Sequence, residues 1–381
     1  MNFRILLSIV LIAITIIGCK NHRSKEYFIF PLNNKKDILF DKIKLDSIPI
    51  KRIESSYVGF IRIVSNSIYF IDQRFGWIYE FDKNGLFQRR YLGVGRGPEE
   101  LNTKLIDGYL NLRDGRHIFI GAGNDCHIYK KNFIKDKSFM MDKRYKRAKL
   151  GKSEYRPDLP EIYTLAYDKL VLRNFGNDLF FTVVVEHPYF NFIRTPKKYF
   201  DECRIIMKMN LNDGETEGLL GRYSPVYMAN DNFKQISLTS FDIDNNGKFY
   251  VQQEADSLIY VYNQDFIIEK SFGFIGKDME MPSRVLATID AFRMYYQEER
   301  RDKGYYDWIE YIDETGVLFR SYKKGKNSNS DGLQAYKNDA LIADFDVPKN
   351  FKVTGYISPY YYSNEYINEE SEKMIIYKFK L

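Results

Sequence analysis

The chain has 381 residues, of which 57 are basic and 51 acidic, and its formal net charge is +6 at pH 7. The two signs are interspersed without a basic block, which argues against a nucleic-acid-binding protein. The length is ample for a large core and long for one ordinary domain, unless that domain is built from repeated units. Because aromatic side chains favour strands, the 31 Tyr and 29 Phe indicate an all-β protein.

The chain opens with a short apolar segment. Arg4 precedes an almost unbroken apolar run over Ile5–Ile17, which is too short to span a bilayer but has the length of a signal-peptide core. The run ends at Gly18 and Cys19, and this ending resembles the lipobox of bacterial lipoproteins. The resemblance implies that residues 1–18 are a signal peptide and that Cys19 carries lipid. An ordinary signal peptide with an incidental cysteine, or an uncleaved anchor, is the alternative.

The polar residues after the cysteine predict a tether over residues 19–40, ahead of a folded domain over residues 41–381. Several acyl chains on one residue would hold the protein at a membrane, since a single chain binds only marginally. The tether contains no acidic run of the kind that resembles a surface-export signal. We therefore expect a lipid-anchored protein of the cell envelope, at the outer membrane. Whether it faces the periplasm or the exterior stays open.

A strand pattern recurs from residue 57 onward. Its clearest copy is Tyr57–Gly93, in which Asn84-Gly85 marks a hairpin because this pair accepts positive φ at low cost. Units of this size predict the blades of a β-propeller, with room for about six. Similar glycine-ended turns occur at Asp114-Gly115, Asn212–Gly214 and Asn245–Gly247.

Closure of such a ring is expected to join the two ends of the chain in one blade, because this removes two exposed sheet edges. Either Val353–Tyr356 or the terminal strand Lys373–Leu381 would pair with Ile43–Ile50.

One segment interrupts the strand pattern late in the chain. Val285, Ile289, Phe292 and Tyr296 are spaced by four, three and four residues, which places them on one helical face. The pattern predicts a helical insertion between late blades over about residues 283–303. Structural packing is the simpler role for this helix, and a lid or docking element is the alternative.

The first repeat carries a resemblance. The stretches Ile68–Asp72, Ile78–Gly85 and Gly93–Glu100 resemble six-bladed β-propeller lipoproteins of gut bacteria, related to the NHL and TolB-like propellers. The resemblance implies an all-β, six-bladed β-propeller, and it implies no activity because this family is mostly without an assigned one. Glu99 occupies a place where the family often has glycine. Arg96 and Glu99 belong either to a structural linker between blades or to the lining of a ligand mouth.

Motifs for catalysis or metal binding are weak. The glycines from Gly93 to Gly97 precede Pro98 rather than a helical pattern, which excludes a dinucleotide-binding loop. Asp242–Gly247 matches the first half of a calcium-binding EF-hand loop, but the twelfth position is Gln253, so a hairpin turn is the simpler interpretation. The four histidines show no metal-ligand spacing, and no G-x-S-x-G motif occurs. We expect no cofactor and no metal, and we assign no catalytic residue.

Cys126 and Cys203 are the two cysteines beyond the lipobox. An oxidising compartment would permit a disulfide between them. Two buried thiols are the simpler expectation, because the spacing does not match a disulfide framework.

The first functional interpretation is a propeller used for binding or scaffolding, with a glycan, a peptide or a partner protein of the envelope at the channel mouth. Two aromatic-rich segments, expected to be loops, are the best candidates for contact, with core packing as the alternative. The assigned residues are Tyr305, Tyr306, Trp308, Tyr360 and Tyr361.

Two other interpretations remain open. One is a carbohydrate-active hydrolase or lyase with paired carboxylates at the central channel, so that enzymatic activity is an open question. It requires two or more acidic residues and an Arg, His or Tyr that converge in one pocket. The other is a structural subunit of an envelope complex, which would present a large exposed apolar patch.

Overall fold

Six small β-sheets form a ring around a central channel. The structure is a computed structural model that describes residue 28 and residues 31–40, 42–50, 53–97, 100–141, 156–229, 234–282, 284–368, 370 and 372–381. Neighbouring strands within each sheet pair antiparallel, except for one parallel strand at the edge of one sheet, and each sheet is a blade. The fold is therefore a six-bladed β-propeller, and the predicted fold class is confirmed.

Blades 1 to 3 take up the first part of the ring. Blade 1 consists of β3 (Gly59–Val64), β4 (Ser67–Asp72), β5 (Trp77–Phe81) and β6 (Phe87–Leu92). Blade 2 consists of β7 (Ile106–Asn111), β8 (His117–Gly121), β9 (Asp125–Tyr129) and β10 (Lys135–Met140). Blade 3 consists of β11 (Tyr163–Leu165), β12 (Leu172–Phe175), β13 (Asp178–Val185), β14 (Ile206–Asn210) and β15 (Thr216–Leu220).

Blades 4 to 6 complete the ring. Blade 4 consists of β16 (Thr239–Ile243), β17 (Phe249–Gln253), β18 (Ile259–Tyr262) and β19 (Ile268–Phe272). Blade 5 consists of β20 (Tyr305–Ile312), β21 (Val317–Lys323), β22 (Asp331–Lys337) and β23 (Ala340–Val347), with β1 (Lys35–Phe40) at its edge. Blade 6 consists of β24 (Val353–Ile357), β25 (Tyr360–Asn368), β26 (Lys373–Phe379) and β2 (Asp46–Ile50).

The predicted hairpin turns lie between neighbouring strands of a blade. Gly85 has a φ of 80°, and its N–H donates to the carbonyl oxygen of Asp82 at 3.0 Å. Gly247 has a φ of 78° and donates to Asp244 at 3.0 Å. Glycine suits both places because it adopts positive φ without steric cost. The segment that resembles half of an EF-hand is thus the hairpin between β16 and β17.

Blade 6 closes the ring with strands from both ends of the chain. β2 pairs antiparallel with β26, so that Ile48 lies opposite Ile376, and both side chains are buried. The predicted closure is confirmed, and it uses the terminal strand. Ahead of β2, β1 pairs parallel with β23, so the end of the segment expected to be a tether lies along the outer edge of blade 5.

Helices occur between blades and within the long connections of blade 3. They are α1 (Pro196–Glu202), α2 (Val226–Ala229) and α3 (Ile289–Asp302). The hydroxyl of Thr288 caps α3 by accepting from the N–H of Ala291 at 3.1 Å. Since α3 connects blade 4 to blade 5, the predicted helical insertion is confirmed, but the helix begins at Ile289, so Val285 lies ahead of it. No helix within the described ranges is long and apolar enough to cross a membrane.

Apolar and aromatic side chains fill the spaces between blades. The largest apolar cluster joins blades 2, 3 and 4 and includes both described cysteines. Cys126 and Cys203 are buried free thiols, so the interpretation as two buried thiols is confirmed. Burial raises the pKa of Cys203 to about 12, which keeps this thiol protonated at neutral pH.

Candidate functional site

The central channel contains three neighbouring polar cavities. The cavity at one end has a volume of about 550 Å³, the middle one about 180 Å³, and the one at the other end about 600 Å³. Trp308, Lys352 and Glu365 line both the first and the middle cavity. Thr354 lines both the middle and the last. These shared residues place the three cavities in line along the channel.

The three cavities differ in their charged side chains and are named after them. The lysine mouth is the first cavity, whose basic residues are Lys169, Arg300, Lys323 and Lys352. The central cavity is the middle one, whose charged residues are Arg62, Asp107, Arg173, Lys352 and Glu365. The acidic mouth is the last one, whose acidic residues are Glu80, Asp114, Glu310, Asp313 and Glu314.

Strand β20 carries side chains along the whole channel. Its first residue, Tyr305, lines the lysine mouth, and strict alternation would then turn Trp308 away from it. The pairing with β21 shifts between Tyr306 and Trp308, which is a β-bulge. Because the bulge adds one residue to β20, Asp307 and Trp308 both line the lysine mouth, and Glu310 reaches the acidic mouth.

Asp307 holds three lysines at one wall of the lysine mouth. Its carboxylate oxygens lie 3.6 Å from Nζ of Lys169, 3.5 Å from that of Lys323 and 3.3 Å from that of Lys352. Burial alone would raise the pKa of Asp307, but the three lysines together hold it below its ordinary value. The Lys352 side chain is 32% exposed, against 6% for Lys169 and 15% for Lys323. Lys352 is therefore the most accessible ammonium group of the three.

Glu254 connects the wall of the lysine mouth to α3. This buried carboxylate accepts from Lys169 at 2.7 Å, from Arg300 with both oxygens at 2.7 Å each, and from the N–H of Leu238 at 3.0 Å. Arg300 lies in the last turn of α3, and Tyr296, one turn earlier, also lines the mouth. The helical insertion thus forms part of the mouth and is held there by a buried ion pair.

The central cavity is built around Trp308. The centre of its ring lies 5.5 Å from the guanidinium carbon of Arg62, 5.4 Å from that of Arg173 and 5.5 Å from Nζ of Lys352. Its Nε1–H donates to Glu310 at 3.0 Å, and the residue is only 7% exposed. Cations therefore surround this ring, which favours charge recognition over the stacking of a sugar ring.

Several carboxyl groups of the channel have a raised pKa. Burial raises the pKa of Glu310 to about 7, although the positive charge of Arg173 lowers it. Nη2 of Arg173 lies 2.8 Å from Oε2 of Glu310. Arg173 also pairs with Asp242. Burial raises the pKa of Glu365 and of Asp107 as well. The channel thus contains carboxyl groups that are protonated at a higher pH than exposed ones.

The acidic mouth has the opposite charge character. Glu80 accepts from the hydroxyls of Ser67 at 2.8 Å and of Tyr91 at 2.6 Å. Asp313 accepts from the N–H of Asn245 at 2.8 Å. Burial lowers the pKa of His117 to about 4, so this imidazole adds no positive charge at neutral pH. The acidic mouth is lined by five acidic residues and two basic ones, Arg113 and Lys131, whereas the lysine mouth is lined by four basic residues and three acidic ones. The two ends of the channel therefore differ in the balance of their charges.

Two of the five aromatic residues assigned from the sequence line the channel. They are Trp308 and Tyr305, whose ring centre lies 4.6 Å from the guanidinium carbon of Arg300 and 5.8 Å from Nζ of Lys169. The two segments expected to be loops are strands, so that prediction is wrong. The physical reason is that their aromatic side chains fill the blades, as β20 and β25 show.

The other three aromatic residues lie outside the channel. Tyr306 is 2% exposed inside blade 5, and its hydroxyl donates to the carbonyl oxygen of Phe274 at 3.1 Å. Tyr361 is buried, with its ring centre 4.8 Å from that of Phe319. Tyr360 is half-buried and its ring centre lies 4.8 Å from Nζ of Lys378. These three rings are not brought together with Tyr305 or Trp308.

The glycine-rich loop with Arg96 lies between β6 and β7, and Arg96 is exposed and lines none of the three cavities. The N–H of Gly97 donates to Oε2 of Glu100 at 2.7 Å. A Cβ on Gly95 would lie 1.9 Å from the same oxygen, so the glycine allows this close approach. These contacts support the linker interpretation of the loop.

Two assigned residues, Glu99 and the lipidation residue Cys19, lie outside the described residues, as does the predicted signal peptide. In the part of the chain that is described, no group of three or more His, Cys, Asp or Glu residues could hold a metal ion.

The charged residues that line the channel were not predicted from the sequence. Arg62 stands between Ile61 and Ile63 in an otherwise apolar strand, and Arg173 stands in β12 after Leu172. A charged side chain inside a buried strand is unusual, and this was the signal that could have pointed to the channel. Lys352 lies just before β24 and gave no such signal.

Comparisons with known proteins support the fold. No protein-family model and no curated protein matches the sequence. A member of the DUF4221 family from Bacteroides vulgatus is similar in structure, with a TM-score of 0.66, 12% identity and coverage of 89% of this chain and 98% of that one. A candidate exported protein from Bacteroides fragilis gives a TM-score of 0.52, 14% identity and coverage of 92% and 99%. At these identities the likeness concerns the fold alone: the chain shares a six-bladed β-propeller architecture with these two Bacteroides proteins.

Proposed function

We propose that this protein is a lipid-anchored binding protein of the cell envelope whose propeller captures a glycan at the lysine mouth. The observation that carries the proposal is the cluster around Asp307, where three lysines surround one wall of an open cavity of about 550 Å³. Cavities of this size at the mouth of a channel suit a small ligand.

The chemistry of the mouth favours a polar ligand. Asn350, Asn364 and Gln297 line it together with the charged groups. Amide side chains donate and accept hydrogen bonds at once, and this matches sugar hydroxyls better than the apolar side chains of a typical peptide. A peptide or a partner protein is the alternative ligand.

Thermal unfolding of the full chain, purified in detergent, tests the binding proposal against neutral oligosaccharides, uronic-acid oligosaccharides and peptides. A ligand at a hundred times its Kd adds about 2.7 kcal/mol. With an unfolding entropy of about 2.1 cal/mol/K per residue and 381 residues, Tm should rise by about 3 °C. A rise with one class of saccharide supports the proposal. A rise in Tm with peptides alone contradicts the proposal, and so does the absence of a rise with every probe.

Two matched lysine variants locate the binding site. Lys352→Met removes the accessible cation of the lysine mouth, and Lys248→Met removes a lysine that is 39% exposed and pairs with Glu269 at 3.0 Å in blade 4. We expect the saccharide-induced rise in Tm to shrink in the first variant and to persist in the second. An unchanged rise in Lys352→Met would place the ligand elsewhere.

The anchor is part of the same proposal and depends on Cys19. Metabolic labelling with a radioactive fatty acid in a bacterial host should label the wild-type chain, and Cys19→Ser should abolish the label. Labelling that survives in Cys19→Ser would contradict lipidation at this residue. Fractionation of the labelled cells, followed by protease treatment of intact cells, tests the outer-membrane location and the side that the domain faces.

A second candidate function is a hydrolase or lyase that acts on the captured glycan. The observation that favours it is the raised pKa of Glu310, Glu365 and Asp107, because a protonated carboxyl group is what a general acid requires. Glu310 is however bonded to Arg173 and Glu365 to the N–H of Ile61, which favours a structural role. Release of reducing ends from any saccharide that raises Tm would support catalysis.

A further inference from the structure

Arg62 brings a positive charge into the central cavity. It lies on the innermost strand of blade 1, and its guanidinium carbon is 5.0 Å from the ring centre of Phe60 and 5.5 Å from that of Trp308. A guanidinium has five N–H donors. Within the described residues, its one hydrogen bond runs from Nη1 to the carbonyl oxygen of Ile61 at 2.9 Å. The remaining donors are available to a ligand in the cavity.

The nearby carboxyl groups leave the guanidinium of Arg62 without a direct ion-pair partner in the described part of the chain. Glu310 and Glu365 interact with it electrostatically, but neither forms an ion pair with it among the described residues. Glu310 accepts from Arg173 and from Trp308, and Glu365 accepts from the N–H of Ile61 at 2.8 Å. Both carboxyl groups are therefore engaged elsewhere, whereas buried cations are usually paired with an anion.

We infer that the central cavity is a carboxylate subsite, in which Arg62 binds the acidic group of a sugar acid that enters through the lysine mouth. This inference rests on the proposed function and adds the chemical class of the glycan. The planar guanidinium fork matches the two oxygens of a carboxylate.

The dimensions of the channel agree with this assignment. The central cavity of about 180 Å³ holds a small acidic group, since one water takes up about 30 Å³ of liquid. The remaining sugar rings would stay in the larger lysine mouth. Lys352 lines both cavities, so it lies between the acidic group and the rest of the glycan.

The fluorescence of Trp308 provides a local measurement. The chain has two tryptophans, and the other one, Trp77, packs against Phe75 in blade 1. Trp77→Phe in the full chain, purified in detergent, leaves Trp308 as the single reporter beside Arg62. The probes are acetate, D-galacturonate and trigalacturonate, with D-galactose as the neutral control and inorganic phosphate as a competing anion, all at equal ionic strength.

We expect the three carboxylates, but not galactose, to change the Trp308 signal in a saturable way. Removing a charge-assisted bond weakens binding by about tenfold or more, so Arg62→Met should weaken galacturonate binding by at least this factor. Arg62→Lys keeps the charge but loses the fork, and it should weaken binding by a smaller factor. If Arg62→Met does not fold, weaker galacturonate binding by Arg62→Lys than by the wild type tests the inference instead.

Three results would overturn the inference. The first is equal affinity for galacturonate in the wild type and in Arg62→Met, or in Arg62→Lys where the former does not fold. The second is tighter binding of phosphate than of every carboxylate. The third is binding of neutral saccharides with no response to carboxylates, which would leave the proposed function intact. No response to any saccharide, in fluorescence or in Tm, would overturn both.

Discussion

Glu254→Gln should destabilise the propeller, because it removes the negative charge that pairs with Arg300 of α3 and with Lys169 of blade 3. Glu254 is fully buried and bonded to Lys169 and to both sides of the Arg300 fork. The glutamine keeps the shape and one acceptor oxygen, so the cavity and packing terms stay small. What changes is that two buried cations lose their shared anion.

The magnitude follows from the burial of the partners. The side chains of Glu254, Lys169 and Arg300 are 0%, 6% and 14% exposed. Removing one partner of a buried ion pair costs about 3–5 kcal/mol. Because Asp307 still pairs with Lys169, we expect about 3 kcal/mol. For 381 residues at about 2.1 cal/mol/K per residue, this lowers Tm by about 4 °C.

The control is an ion pair of similar geometry on the surface. Glu269 pairs with Lys248 at 3.0 Å, with side chains 37% and 39% exposed, so Glu269→Gln should cost less than about 1 kcal/mol. Both variants are compared by urea unfolding followed by circular dichroism. Equal losses of unfolding free energy in the two variants would refute the reasoning, because burial would then not determine the strength of the pair.

The pH dependence provides a second check on Glu254. Burial opposes the charged form, but Lys169 and Arg300 hold the pKa of Glu254 below its ordinary value of 4.5. A carboxyl group with a lowered pKa contributes stability above its unfolded pKa and loses it as the pH falls through the folded one. The difference in stability between wild type and Glu254→Gln should therefore shrink below about pH 4.

Two further predictions concern ring closure and the channel. A chain that ends at Met374 lacks most of β26, the antiparallel partner of β2, so it should no longer unfold cooperatively on heating. A cooperative unfolding transition at the Tm of the wild type would show that ring closure does not need this strand. Burial raises the pKa of Glu310 to about 7, so its stabilising contribution is full below about pH 4.5 and is lost as the pH rises through about 7. Between about pH 5 and pH 8, the Tm of Glu310→Gln should consequently fall by less than the Tm of the wild type. An equal fall in Tm for both proteins would contradict the raised pKa of Glu310.

Local patterns in the sequence were sufficient to predict the architecture. Asn-Gly turns set hairpins at fixed places, as Gly85 shows with its φ of 80°. Alternating and aromatic residues indicated the strands, and the helical spacing of Ile289, Phe292 and Tyr296 predicted α3, which spans Ile289–Asp302. Each of these signals depends on residues close together in the chain, where the periodicity of side chains determines the local structure.

The channel could not be predicted in the same way, because its residues come from different blades. Arg62, Arg173 and Lys352 surround one ring although they are far apart in the chain. Aromatic content drew attention to five tyrosine and tryptophan side chains, yet three of them pack within or against blades. Local sequence does not distinguish a ring that fills a blade from one that lines the channel, since both occupy ordinary strand positions.

The repeat, the hairpins, the helical insertion and the closure of the ring by both chain ends could be predicted from the amino-acid sequence. Which charges meet in the channel depends on how the blades pack against one another. The bulge between Tyr306 and Trp308 makes this plain, because one extra residue in β20 brings both Asp307 and Trp308 to the lysine mouth. A bulge is fixed by the pairing of two strands and by the packing of neighbouring blades, and no pattern within β20 specifies it.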